Sequence, residues 1–578
     1  MTDYMKEYER WLTSPHLSQK ERAAVAAMTD DEARKLAFGR GLEFGTAGLR
    51  SSMAIGPGHM NVHTVAHATQ GMADLVKKNG GEARGVVIAY DSRHNSALFS
   101  RVAAEVLAAN RVRVYLFDDL RPTPELSFAI RYLGCIAGIN ITASHNPKEY
   151  NGYKAYWEDG AQLSPEDAAT VSDVMAGIDV LGGAQRMPYE DALAEGRITL
   201  IGEAVDEAYL AAVDATLLDR DILKRAADSL SIVYTPLHGA GYRLVPEALR
   251  RAGLSRIHPV PEQMIPDGSF PTVHKPNPEY ADVFKLGMSL AEEVGSDLVI
   301  ATDPDSDRVG VVTRTREGGF ATISGNKMGA LLLDYIIGAR RRLGLMPAGA
   351  FTIKSIVSTD LVTKIAADNG VKLYDVLTGF KYIGEVIKAH EARGEEKRYI
   401  FGFEESYGYL TGTYARDKDA VSATLMIAEM AAYYASRGMT LADALAELDE
   451  KYGVYREKTT EIYMEGLDGL AKQKRVMETL RSAPPTALGG DRVVSIGDYS
   501  KGYFTNVDTG EQTEITQARS NVLYFITESD DKIVIRPSGT EPKIKIYYTA
   551  KADTDEEAQV LQAKLSGKDG AFASLVIR

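Results

Sequence analysis

The chain has 578 residues, 45% of them hydrophobic and 25% charged, with a formal net charge of −14. That is an ordinary globular composition, long enough for several domains, and an acidic chain without a long Lys/Arg run is not built as a general nucleic-acid binder. A single cysteine excludes an intrachain disulfide and the structural zinc sites that need several.

The N-terminus is charged from residue 3 and lacks the apolar core of a signal peptide, so a cytoplasmic location is expected. Two amphipathic helices are predicted there, over 5–12 and 30–42. No uninterrupted apolar run reaches the roughly 18 residues of a membrane span. The most apolar stretch, 421–435, carries Glu429 and predicts a buried helix.

From residue 85 the pattern changes. Short β-branched runs end in polar loops: "GVVIAYDSR" (85–93), "CIAGINITASHNP" (135–147), "SIVYTPLHGAG" (231–241), "DLVIATDPDSDR" (297–308) and "FTIKSIVSTD" (351–360). Helical segments such as 96–110 and 280–295 lie between them. Runs apolar on both faces, alternating with helices, predict α/β units, and function in such units collects in the loops after the strands. The last ~120 residues read differently, as antiparallel strands with a helix near 555–566 and a Pro/Gly loop at 482–491. The expectation is three similar α/β domains with mixed sheets (1–200, 201–318, 319–445) and a C-terminal α+β domain (446–578).

Four loops carry chemistry. "TASHNP" (142–147) presents Ser144 as a nucleophile. Side chains adjacent in an extended turn diverge, so His145 is expected to be poorly placed to take the serine proton, and to contact a phosphate or brace the loop instead. "DPDSDR" puts Asp303, Asp305 and Asp307 at i, i+2 and i+4 between two strands. Three close carboxylates need a hard divalent cation, Mg²⁺ or Ca²⁺. An EF-hand is excluded because the sixth and twelfth positions are Arg308 and Arg314. A rival pattern, the haloacid-dehalogenase-type phosphatase loop, makes Asp303 the nucleophile but leaves Asp307 and Arg308 unexplained. "GFEESYGY" offers Glu404 and Ser406 as paired acceptors for vicinal sugar hydroxyls. "IRPSGTEPK" concentrates Arg536, Ser538, Gly539 and Thr540 into an anion clamp, with Lys543 and Lys545 on one side of the next strand. In "TGFKYIG", Lys381 is either a phosphate ligand or an exposed lysine. His238 reads as a structural loop histidine.

Together, and in this order, these loops resemble those of the α-D-phosphohexomutase family, the phosphoglucomutases and phosphomannomutases. The resemblance covers nearly the whole chain, and "TPLHGAG" with "PDGSFPTVHKPNPE" (266–279) is similar to the phosphoglucomutase-2-type branch, which also holds phosphopentomutases. It implies that the four domains surround a central cleft, with a phosphoserine at Ser144, Mg²⁺ held by Asp303, Asp305, Asp307 and the Ser144 phosphate, and substrate contacts from Arg308, Thr378, Gly379, Lys381, Glu404, Ser406, Lys418, Arg536, Ser538, Gly539 and Thr540. It also places Arg50 and Arg93 near the active site and makes Lys154 the general acid/base, or else a phosphate ligand. The implied reaction interconverts glucose 1-phosphate and glucose 6-phosphate through glucose 1,6-bisphosphate. Mannose or pentose phosphates, or an aspartyl phosphatase at Asp303, are the alternatives. The double glutamate departs from the single Glu of "GE-x-SG" in the mannose- and glucosamine-type enzymes and lowers those substrates. Expected partners are small sugar phosphates, with no nucleic acid and no membrane, and the chain is expected to be a monomer or weak homo-oligomer.

Overall fold

The computed structural model describes residues 3–45, 48–464, 469–538 and 543–566. The first sheet comprises β1 (Leu49–Ser52), β2 (Val86–Tyr90), β3 (Val114–Phe117), β4 (Ala137–Ile141), β5 (Tyr150–Trp157) and β6 (Ile198–Ile201), in the order β1-β5-β4-β2-β3-β6. β4, β2, β3 and β6 run parallel, while β5 pairs antiparallel with both β4 and β1. Strand side chains alternate, and both faces here are covered. Val86 and Ile88 pack with helices Val62–Lys78 and Ser96–Ala109, whereas Val87 and Ala89 pack with helix Thr123–Tyr132. That is why the run reads as continuously apolar.

The second sheet, β7 (Ile232–Thr235), β8 (Ile257–Pro259), β9 (Leu298–Thr302), β10 (Val309–Arg314) and β11 (Phe320–Ile323), is ordered β11-β10-β9-β7-β8. The antiparallel β9–β10 hairpin encloses residues 303–308. The third, β12 (Phe351–Ser355), β13 (Lys372–Val376), β14 (Tyr399–Glu404) and β15 (Gly408–Leu410), is ordered β13-β12-β14-β15. The fourth is wholly antiparallel. It contains β16 (Val454–Tyr463), β17 (Ala487–Leu488), β18 (Asp491–Asp498), β19 (Tyr503–Asn506), β20 (Gln512–Glu514), β21 (Leu523–Thr527), β22 (Lys532–Pro537) and β23 (Lys543–Ala552). Helices Gly469–Ser482 and Asp555–Ser566 pack Met477 and Leu565 against its apolar face. The expected three mixed α/β sheets and a C-terminal α+β unit are all present.

Two of the expected boundaries lie beside or within paired or helical elements. Residue 318 falls before β11, which pairs with β10 (Val311 opposite Ile323), so the second sheet extends to Ile323. Residue 445 falls inside helix Leu441–Tyr452, and the fourth sheet begins at Val454. Hairpin partners are fixed by cross-strand register, which composition does not report. The Pro/Gly loop at 482–491 likewise contains β17, paired with β18.

The largest core cluster joins the first three units, with Leu126, Leu244, Leu331 and Ile427 in one contiguous set. Helix Ala420–Ser436 runs through it. Its buried Glu429 accepts hydrogen bonds from the Tyr335 hydroxyl (2.6 Å) and the Leu218 N–H (2.8 Å), which satisfies a carboxyl that water cannot reach. No helix among the described residues is long and apolar enough to cross a membrane.

Candidate active site

The loop after β4 turns sharply because Ser144 takes a left-handed conformation (φ 52°), an uncommon state for a residue with a Cβ. Its N–H donates to Thr142 Oγ1 (2.8 Å), and Thr142 Oγ1 donates to Asp91 Oδ2 (2.6 Å). Arg93 holds the loop from beneath. Its guanidinium donates to the carbonyls of Pro147 (2.8 Å) and Tyr150 (3.1 Å), and more closely to those of Ser144 and Asn146. The same group pairs with Asp91 at 3.3 Å and lies 5.0 Å from the ring of Phe270. Arg93 thus shapes the loop through both terminal nitrogens, while its Nε makes the ion pair with Asp91 but no hydrogen bond. Arg50 donates to Asn146 Oδ1 (3.1 Å).

His145 does not diverge from Ser144, contrary to expectation: its Nδ1 lies 3.0 Å from Ser144 Oγ. The reason is the left-handed φ at Ser144, which breaks the alternation an extended turn would impose. Burial, reinforced by Arg308, Arg50, Lys545 and Arg93, holds the His145 pKa well below its usual value, so the ring is neutral. Ser144 Oγ donates to Asp303 Oδ2 (2.8 Å), leaving its lone pairs to accept from an Nδ1–H.

The loop between β9 and β10 folds around Asp303. Its Oδ1 accepts the N–H groups of Asp307 (3.1 Å) and Arg308 (3.0 Å). Burial, with repulsion from Asp305 and Asp307, pushes the Asp303 pKa far above the carboxylate range. Asp305 is buried too, but Lys154 outweighs that and holds its pKa low. Lys154 Nζ lies 2.6 Å from Asp305 Oδ2 and 3.3 Å from Asp307 Oδ2. Burial alone would lower its own pKa; the two carboxylates reverse this, so Lys154 is an ammonium and not a resting base. One oxygen from each of Asp303, Asp305 and Asp307 lies within 4.8 Å of the others, and Asp305 Oδ1 and Asp307 Oδ1 are buried without a hydrogen-bond partner. Orphaned oxygens from a three-carboxylate cluster fit a hard divalent cation.

Lys418 was expected at the substrate. Its ammonium lies 3.2 Å from Asp307 Oδ2 and 3.0 Å from Asp417 Oδ1, held between two buried carboxylates. The cleft itself has a volume of about 660 Å³ and takes residues from all four units: Arg50 and His145, then Arg308 and Glu279, then Thr378, Lys381, Glu404 and Ser406, then Arg536, Ser538 and Lys545. Basic side chains outnumber acidic ones there, so local charge opposes the chain's net −14 and suits an anionic ligand. Thr378 Oγ1 and Arg536 Nε are buried without hydrogen-bond partners. Lys381 Nζ sits 4.9 Å over the Tyr382 ring, and burial lowers its pKa. Glu404 Oε1 accepts the Gly379 N–H (2.6 Å), and burial raises its pKa to about 7. Gly379 has φ 121°, a conformation side chains disfavour. In the clamp loop the Ser538 N–H donates to the Lys543 carbonyl (2.8 Å); Gly539 and Thr540 lie outside the described residues.

Four domain models of one family match the chain in order. They are phosphoglucomutase/phosphomannomutase α/β/α domains I (41–180), II (207–318) and III (324–452) and the C-terminal domain (505–565). The chain belongs to the α-D-phosphohexomutase family. The mutase is 38% identical to a phosphoglucomutase of Staphylococcus epidermidis over 517 residues, 89% of this chain and 91% of that protein. The open form of parafusin, a phosphoglucomutase from Paramecium, shares the fold with a TM-score of 0.66 at 17% identity, over 93% of this chain and 96% of its own. Aspergillus fumigatus N-acetylphosphoglucosamine mutase, solved with GlcNAc-6P and magnesium, does so with a TM-score of 0.50 at 14% identity, over 95% and 98%. The protein is a hexose-phosphate mutase, an intramolecular phosphotransferase of the isomerase class.

Glu279 and Glu461, at the site of the mutase, are not singled out by the sequence, whereas Asp417 lies in the charged turn "RDKD" (416–419), which offers a ligand role. Glu279 accepts from Arg308 Nη1 at 2.5 Å, Asp417 holds Lys418 and the Tyr156 hydroxyl (2.8 Å), and Glu461 pairs with Lys545 (2.7 Å) and Lys543 (3.3 Å). Glu279 and Glu461 are ordinary acidic residues with partners in other segments, and Asp417 joins its neighbour Lys418 to Tyr156, 261 positions away. His238 braces the 266–279 segment: Nδ1 lies 2.9 Å from the Ile265 carbonyl and Nε2 2.9 Å from Thr272 Oγ1.

Proposed function

We propose that this mutase interconverts glucose 1-phosphate and glucose 6-phosphate through a phosphoserine at Ser144 and a glucose 1,6-bisphosphate intermediate. The observation that carries the reading is the meeting of Ser144 Oγ with Asp303 of the three-aspartate cluster, next to a cationic cleft to which every unit contributes. Phosphoryl transfer depends chiefly on positioning and charge stabilisation. Asp303, Asp305 and Asp307 would hold Mg²⁺, which would supply neutralising charge to the transferring group. Arg93 holds the serine loop in its turned conformation, and Arg308 and Lys154 add positive charge beside it. Arg536, Ser538 and Lys381 hold the phosphate that is not reacting. Glu404 and Ser406 accept from the sugar hydroxyls in either orientation of the bisphosphate. In each half-reaction the Ser144 Oγ–P bond and a sugar O–P bond exchange, with one proton moving in the opposite sense. Lys154, as an ammonium, is the proton donor to the leaving oxygen, and the proton of the attacking hydroxyl returns it to the ammonium form.

The 38% identity to a protein named phosphoglucomutase and the paired glutamates support glucose phosphate as the substrate. Labelled glucose 1,6-bisphosphate tests the reading. The expected label is acid-stable and absent from Ser144→Ala, whereas a hydroxylamine-labile label would assign the chemistry to Asp303. A side-by-side assay of glucose, mannose, N-acetylglucosamine and ribose 1-phosphates is expected to favour glucose. A faster rate with another sugar replaces it as the substrate.

A further inference from the structure

We infer that Thr123, held by Asn140, is a positioning residue that aims the carboxylate of Asp305 at the metal. The inference rests on the metal reading of the three-aspartate cluster.

Asp305 belongs to the second unit, yet one edge of its carboxylate is gripped by the first. Thr123, at the start of helix Thr123–Tyr132, donates its hydroxyl to Asp305 Oδ2 at 2.7 Å, and its N–H donates to the Asp305 carbonyl at 2.8 Å. Asn140, on β4, donates Nδ2 to Thr123 Oγ1 at 2.6 Å. A hydroxyl has one proton; occupied as an acceptor by Asn140, Thr123 Oγ1 has its proton directed at Asp305. Asn140 faces Lys154 across the β4–β5 ladder, and Lys154 is the second donor to the same Oδ2, at 2.6 Å. Two cross-strand neighbours of the first sheet therefore fix one oxygen of Asp305, one directly and one through Thr123. The other oxygen, Oδ1, is buried and has no hydrogen-bond partner. Thr123, Asn140 and Asp305 are each fully buried. The relay thus presents a single, oriented oxygen to the ion. It also ties that ligand to the strand that leads into Ser144, so the nucleophile and the ion share one reference frame. Partners of this kind typically alter metal affinity by about 10–100-fold.

The test is Mg²⁺ affinity of the full-length unphosphorylated protein by calorimetry, with Ca²⁺ run in parallel and melting temperature measured without metal. Thr123→Val is expected to weaken Mg²⁺ binding by about 10-fold or more and to reduce the preference for Mg²⁺ over Ca²⁺. Thr123→Ser, which restores the hydroxyl, is expected to restore both. Should Thr123→Val fail to fold, Asn140→Leu, which releases the Thr123 proton to rotate, is expected to weaken Mg²⁺ binding in the same direction. A Thr123→Val or Asn140→Leu protein with a lowered melting temperature but unchanged Mg²⁺ affinity and selectivity overturns the inference alone. A parent protein that binds no Mg²⁺ overturns the metal reading and the inference with it.

Discussion

Ser144 Oγ donates a 2.8 Å hydrogen bond to Asp303 Oδ2 although 159 positions separate the two residues. Each sits on a turn made by its own strand end, one after β4 and one after β9, so the juxtaposition depends on how two sheets dock. The contact places the nucleophile against the most strongly perturbed carboxyl of the metal cluster. Ser144→Ala is therefore expected to lose at least about 10³-fold in turnover, since it removes the hydroxyl that meets Asp303. Stability should change little, by about 1 kcal/mol for the lost hydrogen bond. Steady-state assay and thermal unfolding of the same preparation check both. Turnover within tenfold of the parent rules out the serine route.

Arg93 serves the same loop without touching the cleft. Removing it leaves Asp91 buried and uncompensated and four loop carbonyls without their donor. Arg93→Ala is expected to cost about 3–5 kcal/mol of stability. Arg93→Lys keeps the charge but not the planar fork, and should recover stability more than activity. Chemical denaturation alongside kcat distinguishes the two. Equal recovery of both would mean that loop shape does not matter to the reaction.

Much of this was legible in the sequence because the strand runs, the three aspartates and the Arg536 loop are local patterns. The buried helix at 421–435 was legible as well, since Glu429 is a lone acid in an apolar run. What stayed hidden depends on tertiary placement. The left-handed φ of Ser144, which brings His145 back to the serine, is set by Arg93 and Thr142 rather than by a local glycine. The pairing of Lys418 with Asp307, far upstream, is announced by nothing near either residue. Thr123 was not singled out at all, and its partner Asp305 lies 182 positions away.

Glu404 gives the mutase a pH signature. Burial raises its pKa from 4.5 to about 7. The folded state therefore holds a proton that the unfolded chain has already released, and stability contributed by this group is complete below about 4.5 and lost as pH rises through about 7. The loss is about 3 kcal/mol. Glu404→Gln should flatten the stability profile over that window and be more stable than the parent at pH 8. It should also raise KM, since the amide offers one weaker acceptor to sugar hydroxyls. Denaturation midpoints at pH 5, 6, 7 and 8 read the first effect. A Gln variant that keeps the parent's slope assigns the titration elsewhere.

Lys381 is a cation on the cleft wall that rests over the Tyr382 ring, and burial lowers its pKa. A folded protein gains little from a charge held this way, so its value must come from an anion in the cleft. Lys381→Met keeps the length of the stem and removes the charge. The expected result is a melting temperature equal to or above that of the parent, with KM for the sugar phosphate raised about 10–100-fold, or about 1.4–2.8 kcal/mol of binding. If Lys381 holds the phosphate that is not reacting, kcat should fall much less than KM rises, because that contact is present in ground and transition states alike. A variant with unchanged KM and a lowered melting temperature would show that Lys381 serves the fold and not the substrate.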